Sequence, residues 1–312
     1  MKDRALLLHL GLIGLLLAAH FLLPDYHHGN LSRIMVLSVF AMGYNIAFGY
    51  TGLLSLGHAL FFAAGLYTSA LLITLAGWPA GPALLDGAVA GGVMAAAVGL
   101  LALRTAGTAF MIVTLMFAQA GYLTILYLNR WTRGDEGIVI PQPLRRLGPL
   151  DLSSEGTRYQ VALVLFAAAL FFCLWLVRSP YGRVMVAMRE NEERARMLGY
   201  NPFRVKLIAL MLSGLYAGAA GAAYAVLFGY AGASLASVQY SILPMLWVLL
   251  GGAGTVAGPF VGCLLMFYLI ASAADVTSAT LLVVGVALVA LVLFAPKGIL
   301  GTLRERGASW LP

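Results

Sequence analysis

The sequence predicts an all-α protein: a polytopic membrane helical bundle of about ten transmembrane helices, with N- and C-termini cytoplasmic. Three observations lead there. The 312-residue chain is 62% apolar and 10% charged, with a mean hydropathy of +0.93. A soluble domain of that size needs far more charge to cover its surface, whereas a bilayer tolerates apolar outward faces. The apolar residues run continuously instead of alternating, which argues against a β-barrel. The basic residues also divide unevenly between the connections, as membrane topology requires.

Ten apolar segments follow along the chain, near 5–23, 33–48, 59–76, 84–103, 106–128, 159–177, 207–228, 239–251, 258–274 and 278–295. A span needs roughly 20 such residues; the eighth is short and reads as a candidate broken helix. The first follows Lys2 and Arg4, so a cleaved signal peptide is the alternative there, but the run is long and no small-x-small site closes it. With the N-terminus inside, thirteen basic residues fall in cytoplasmic segments and six outside: Arg33, Arg130, Arg133, Arg145, Arg146 and Arg158. The net charge of +7 is therefore topological and implies no nucleic-acid partner. Cys173 and Cys263 lie within apolar runs and read as small hydrophobic residues.

Two hydrophilic connections stand out. An external loop at about 129–158 carries Gly134-Asp-Glu-Gly137 and is long enough to fold over the outer mouth. A cytoplasmic loop at about 178–206 opens with Ser179-Pro-Tyr-Gly182, where Pro and Gly break the sixth span. Arg183 through Leu198 reads as one helix closed by Gly199 as a left-handed cap. Met185, Met188, Glu192 and Ala195 share one face. Glu190 with Arg194, and Glu192 with Arg196, are spaced as i, i+4 pairs. On periodicity alone this is an ordinary solvated loop helix as readily as a handle for a cytosolic partner.

Glu193-Arg-Ala195-x-x-x-Gly199 resembles the Glu-Ala-Ala-x-x-x-Gly signature of importer permeases of the ATP-binding cassette class, with Arg in place of the first Ala. The wider block, Ser179 to Arg183, Arg189 to Arg194, Leu198 to Pro202 and Lys206, resembles branched-chain amino-acid permeases of the LivM type. Asn45 to His58, Gly134 to Gly137, Leu250 to Pro259 and Pro296 to Gly301 agree with it, so the resemblance covers about residues 35–301. It implies that residues 1–312 form a single transmembrane permease domain in a prokaryotic plasma (inner) membrane, and that 178–206 is a coupling-helix loop. Arg189, Glu190, Glu192, Glu193, Ala195 and Gly199 would then face the ATPase. The implied partners are a second, related permease in a heterodimer, cytosolic ATP-binding cassette subunits and an extracytoplasmic solute-binding protein, all beside membrane lipid. The expected cofactor is none, with ATP bound by the partners; the chain has no Gly-x-x-x-x-Gly-Lys-Ser/Thr loop.

Gly-rich stretches at Gly49–His58 and Gly251–Pro259 interrupt the apolar pattern. They read either as broken helices near a pathway or as tight cytoplasmic turns. Asn45, Ser55, His58, Gln119 and Thr255 are candidate pathway-lining residues, because polar groups in a span need a partner or water; Thr114 belongs with them. Asp86 and Asp275 fall near span ends and read as interface residues. With no acidic residue mid-span, proton coupling is disfavoured. Asp25, His27 and His28 lack a fourth ligand, so no metal is expected. Branched-chain amino acids are the expected cargo, with urea or short amides as alternatives. A stand-alone secondary transporter or channel would need a mid-span charge, and an intramembrane enzyme a paired nucleophile and base; neither is seen.

Overall fold

The computed structural model describes residues 2–276 and 297–306, with isolated positions between; the tenth apolar segment, 278–295, and the side chains of Asp25 and Asp275 lie outside the description. Helices α1 (Lys2–Leu22), α2 (Asp25–Asn45), α3 (His58–Thr74), α4 (Ala80–Ala102) and α5 (Thr108–Tyr127) are followed by a short α6 (Asn129–Thr132). Helix α7 (Glu155–Arg178) leads into α8 (Pro180–Glu190), α9 (Glu192–Met197) and α10 (Pro202–Phe228). Then come α11 (Val238–Gly251), α12 (Gly258–Val276) and α13 (Gly298–Arg306). Among the described residues six helices are long and apolar enough to cross a membrane, and three shorter apolar ones, over His58–Thr74, Val238–Gly251 and Gly258–Ala274, accompany them.

Polar side chains cap two helix starts where the chain leaves the bundle. Ser154 accepts from Thr157 N at the start of α7, and Asn201 from Arg204 N at the start of α10. Inside, α10 packs against α2, α3 and α4 through small residues. A Cβ on Gly65 would lie 2.1 Å from the Gly218 carbonyl, and one on Gly218 would lie 2.6 Å from that of Gly87. Bare glycine lets the backbones touch, which substitutes in lipid for a hydrophobic driving force. By contrast α1 and α5 are mostly open, only 17% of each span being buried.

The connections sort to two ends. At one end lie the turn after α2, the 103–107 turn, the 178–206 loop, the α11–α12 turn and α13; at the other lies the 129–158 connection. There the all-α expectation meets an exception. Strand β1 (Ile138–Val139) pairs antiparallel with β4 (Tyr230–Ala231) beyond α10, and β2 (Arg146–Leu147) pairs with β3 (Leu150–Asp151). The loop thus folds back over the C-terminal end of α10 and the N-terminal end of α4, where Leu147 approaches Gly81.

Candidate functional site

The 178–206 loop departs from the single helix its sequence suggests. Ser179 closes α7 and opens α8 in one residue, its Oγ accepting from Gly182 N at 3.1 Å, with Pro180 at the first helical position, where its missing N–H costs nothing. The helix then breaks at Asn191, extended at φ −158° and ψ 101°, whose side chain accepts from Arg194 N at 2.9 Å and starts α9. An asparagine that can cap competes with helix continuation. At the far end the left-handed Gly199 (φ +91°) sends its N–H to Arg196 O at 3.0 Å, and Tyr200 N reaches Ala195 O at 3.2 Å. That is a Schellman stop.

Met185, Met188 and Ala195 are buried despite the break. Glu192 lies between Lys206 (2.5 Å) and Arg196 (3.5 Å). Glu190 does not meet Arg194; it lies 3.9 Å from Arg189, and its side chain is 70% exposed. Glu193 and Gly199 are exposed. Tyr181 ties α8 to α10 through its hydroxyl, which donates to Val205 O at 2.7 Å; burial pushes that phenol up to about 12. Beside these charges stands an apolar patch missed at the sequence level: Met197 is 86% exposed, Leu198 72% and Tyr200 45%. The signal was available, since apolar residues at the end of a charged, capped loop have no bilayer to meet. A cleft of ≈ 560 Å³ lies between α8, the 51–54 turn and the start of α5, with Arg189, Glu192 and Lys206 on its wall.

Both glycine breaks are non-helical turns held inside the protein. After α2 the chain widens into a π turn (Ile46–Tyr50), and Leu53 N then bonds Ala47 O at 2.8 Å. The second break turns at Gly252 (φ +118°) and Gly254 (φ +75°). Asn45, fully buried, joins them: its Nδ2 donates to Thr255 O and its Oδ1 accepts from Gly254 N, both at 2.9 Å. No side chain fits at Gly49, where a Cβ would be 1.9 Å from Asn45 Oδ1. Arg189 donates to the Gly49 carbonyl, and Arg304 to the Gly254 carbonyl at 3.4 Å.

Four of the five polar residues singled out in the spans therefore lie in one buried region. Ser55 Oγ accepts from Gly57 N at 3.1 Å, and Thr255 Oγ1 donates to Gly252 O at 2.7 Å. His58 shares a 2.7 Å hydrogen bond with Ser213, and Ala59 N donates to Ser241 Oγ at 2.9 Å. Ser213 is eleven residues into α10, about 16 Å at 1.5 Å per residue, so the first break ends well inside the bundle. Thr114 joins the region from α5, accepting from Leu56 N at 3.1 Å. Gln119 stands apart, exposed on the open side of α5.

The other end has a fixture with no sequence signature. Arg145, 8% exposed, donates from Nε to Val226 O at 2.8 Å, from Nη2 to Leu227 O, and to Leu152 O at 3.3 Å. A cation on the last carbonyls of α10 complements the helix C-terminus and pins the 129–158 connection to it. Burial, with Arg158 nearby, lowers its pKa from the usual arginine range. On the same loop Asp151 accepts from the Ser153 hydroxyl and amide, which hold its carboxyl below the usual range.

A helical bundle with a capped and exposed loop at one end and buried broken helices beneath it suits a membrane transport permease. The chain belongs to the family described as branched-chain amino acid transport system / permease component, which matches residues 28–295. It is 31% identical to the high-affinity branched-chain amino acid transport system permease protein LivM of Escherichia coli, over 87% of this chain and 69% of that one. It is 24% identical to LivH of the same organism, over 85% and 91%. A shorter similarity, 29% identity over 46% of this chain and 42% of the other, links it to the autoinducer 2 import system permease protein LsrC of Photorhabdus laumondii. No solved structure matches. The chain is a multi-pass plasma-membrane permease.

Proposed function

We propose that the chain is the membrane-spanning subunit of an ABC importer that carries branched-chain or related small amino acids, driven by separate ATPase subunits that hold the nucleotide. The reading rests on one observation: the family match runs through the 178–206 loop, which stands exposed with Met197, Leu198 and Tyr200 at its tip. Such a patch, ringed by charges, suits a protein partner. The partners are two cytosolic ATP-binding cassette subunits, a second related permease and an extracytoplasmic binding protein that supplies most of the specificity. Similarity to both LivM and LivH supports a heterodimer.

In this reading ten spans place both termini and the 178–206 loop in the cytoplasm of a prokaryotic cell. The end carrying most of the basic residues then faces inward. In support, α12 runs toward the outer end, where Tyr268 meets His27 at 3.3 Å, while α13 begins at the inner end, where Gly298 abuts Gly252. The open side of α5, with Gln119, faces the second permease and the path. Asn45, Ser55, His58 and Thr255 shape that path from behind by holding the breaks in place. ATP binding alternates access by favouring one packing of the helices over another.

Reconstitution with all partners tests the proposal. Labelled leucine uptake should require ATP hydrolysis and collapse when Glu193 or Gly199 is replaced. Uptake that persists without ATPase subunits refutes it.

A further inference from the structure

Resting on the permease reading, we propose that Arg189 is a positioning residue: it latches the 178–206 loop to both glycine breaks, and its release accompanies each transport step. Although it belongs to the loop a partner would push, its guanidinium points into the bundle and donates to the Gly49 carbonyl. Its stem lies on the same turn, 3.0 Å from where a Cβ on Gly52 would stand, and its Nη1 would be 3.0 Å from a Cβ on Gly254. One cation thus touches both breaks.

The surroundings suit a latch better than a passive brace. The Gly49 carbonyl is open to Arg189 because Leu53 N, which would continue the helix onto it, bonds Ala47 instead. Arg189 occupies the last turn of α8, two residues before the extended joint at Asn191, so a swing of α9 about that joint reaches it first. Beneath it Asn45 binds the two breaks to each other, and Arg304 holds the Gly254 carbonyl from α13. Pulling on Arg189 therefore moves α2 and the α11–α12 turn together. The Arg189 side chain is 38% exposed, so the bond can exchange with water without burying a lone charge. Its nearest acidic neighbour, Glu190 at 3.9 Å, offers an alternative anchor once the carbonyl is released. A guanidinium presents its donors in a rigid planar fork, whereas an ammonium is a compact point charge on a flexible stem.

The test uses the complete reconstituted transporter and reads amino acid transported per ATP hydrolysed. A merely structural defect lowers both quantities together and leaves that ratio unchanged. Arg189→Gln should keep the ATPase subunits in the purified complex and lower the ratio on the order of tenfold; Arg189→Lys should recover part of it. Arg304→Gln should give a smaller loss. An unchanged ratio in Arg189→Gln overturns the latch. So does loss of the ATPase subunits from that complex, which would make Arg189 a docking residue. If Arg189→Gln yields no folded permease at all, Arg189→Lys decides alone, and an unchanged ratio overturns the proposal. A wild-type complex without ATP-driven uptake strikes the permease reading instead.

Discussion

Replacing Asn45 with Leu keeps the branch at Cγ and removes both hydrogen bonds between the glycine breaks. The substitution leaves Gly254 N–H and Thr255 C=O with no side-chain partner in a region closed to water. Each orphaned buried group costs about 1–3 kcal/mol in protein interiors. Hydrogen bonds between membrane helices average nearer ~0.6 kcal/mol, which sets a floor of about 1 kcal/mol for the pair. Because both groups sit on a turn with no helical alternative, the expected loss is about 2–4 kcal/mol. Ser38→Ala on the same helix is the control: equally buried, its hydroxyl donates to Ile34 O one turn back and meets the Cys263 thiol, with no bond to either break, and its loss should cost about 0.5 kcal/mol or less. Equilibrium unfolding in mixed detergent micelles measures both, with Trp247 on α11 as a nearby reporter. If Asn45→Leu destabilises no more than Ser38→Ala, the clamp does not hold the breaks together.

Arg145→Ala should loosen the outer loop. It removes three charge-assisted donations, about 2–4 kcal/mol in total, and limited proteolysis should then cut within 129–158 faster than in the native chain. Gly218→Val should drive a branched side chain into the backbone of α4 at Gly87 and Gly91, lowering the folded yield in detergent, whereas Gly14→Val, with nothing within 4 Å of its Cβ position, should be silent. Leu198→Asp should leave the melting temperature unchanged, because the side chain is 72% exposed, while reducing co-purification of the ATPase subunits on the order of tenfold.

Nine of the apolar segments appear as helices close to their expected positions, because a bilayer-length apolar run admits few other structures. The break at Asn191 was legible but masked by the helical propensity on either side: an asparagine followed by Glu192 and Glu193 is an N-terminal signature, read through because Met185, Met188 and Ala195 keep a common face. Asn45 was singled out for its amide, but its partners are backbone groups of residues 254 and 255. Backbone acceptors carry no side-chain signature, so neither that clamp nor Arg145 on the end of α10 could be assigned from residue types. Gln119 reads the same as Asn45 in sequence, and only packing sets one inside and the other on an open face.

A single serine separates α7 from α8. Its two torsions are fixed by a hydroxyl that donates to Leu176 O at 2.6 Å and accepts from Gly182 N, so the elbow has no play. A sideways shove on the short arm, α8, is passed to the 24-residue rod beyond it. At 1.5 Å per residue that rod reaches about 36 Å, to the stacked rings of Tyr159 and His20. A displacement at one end of the bundle therefore reaches the other through one stiff member, without any chain of small adjustments.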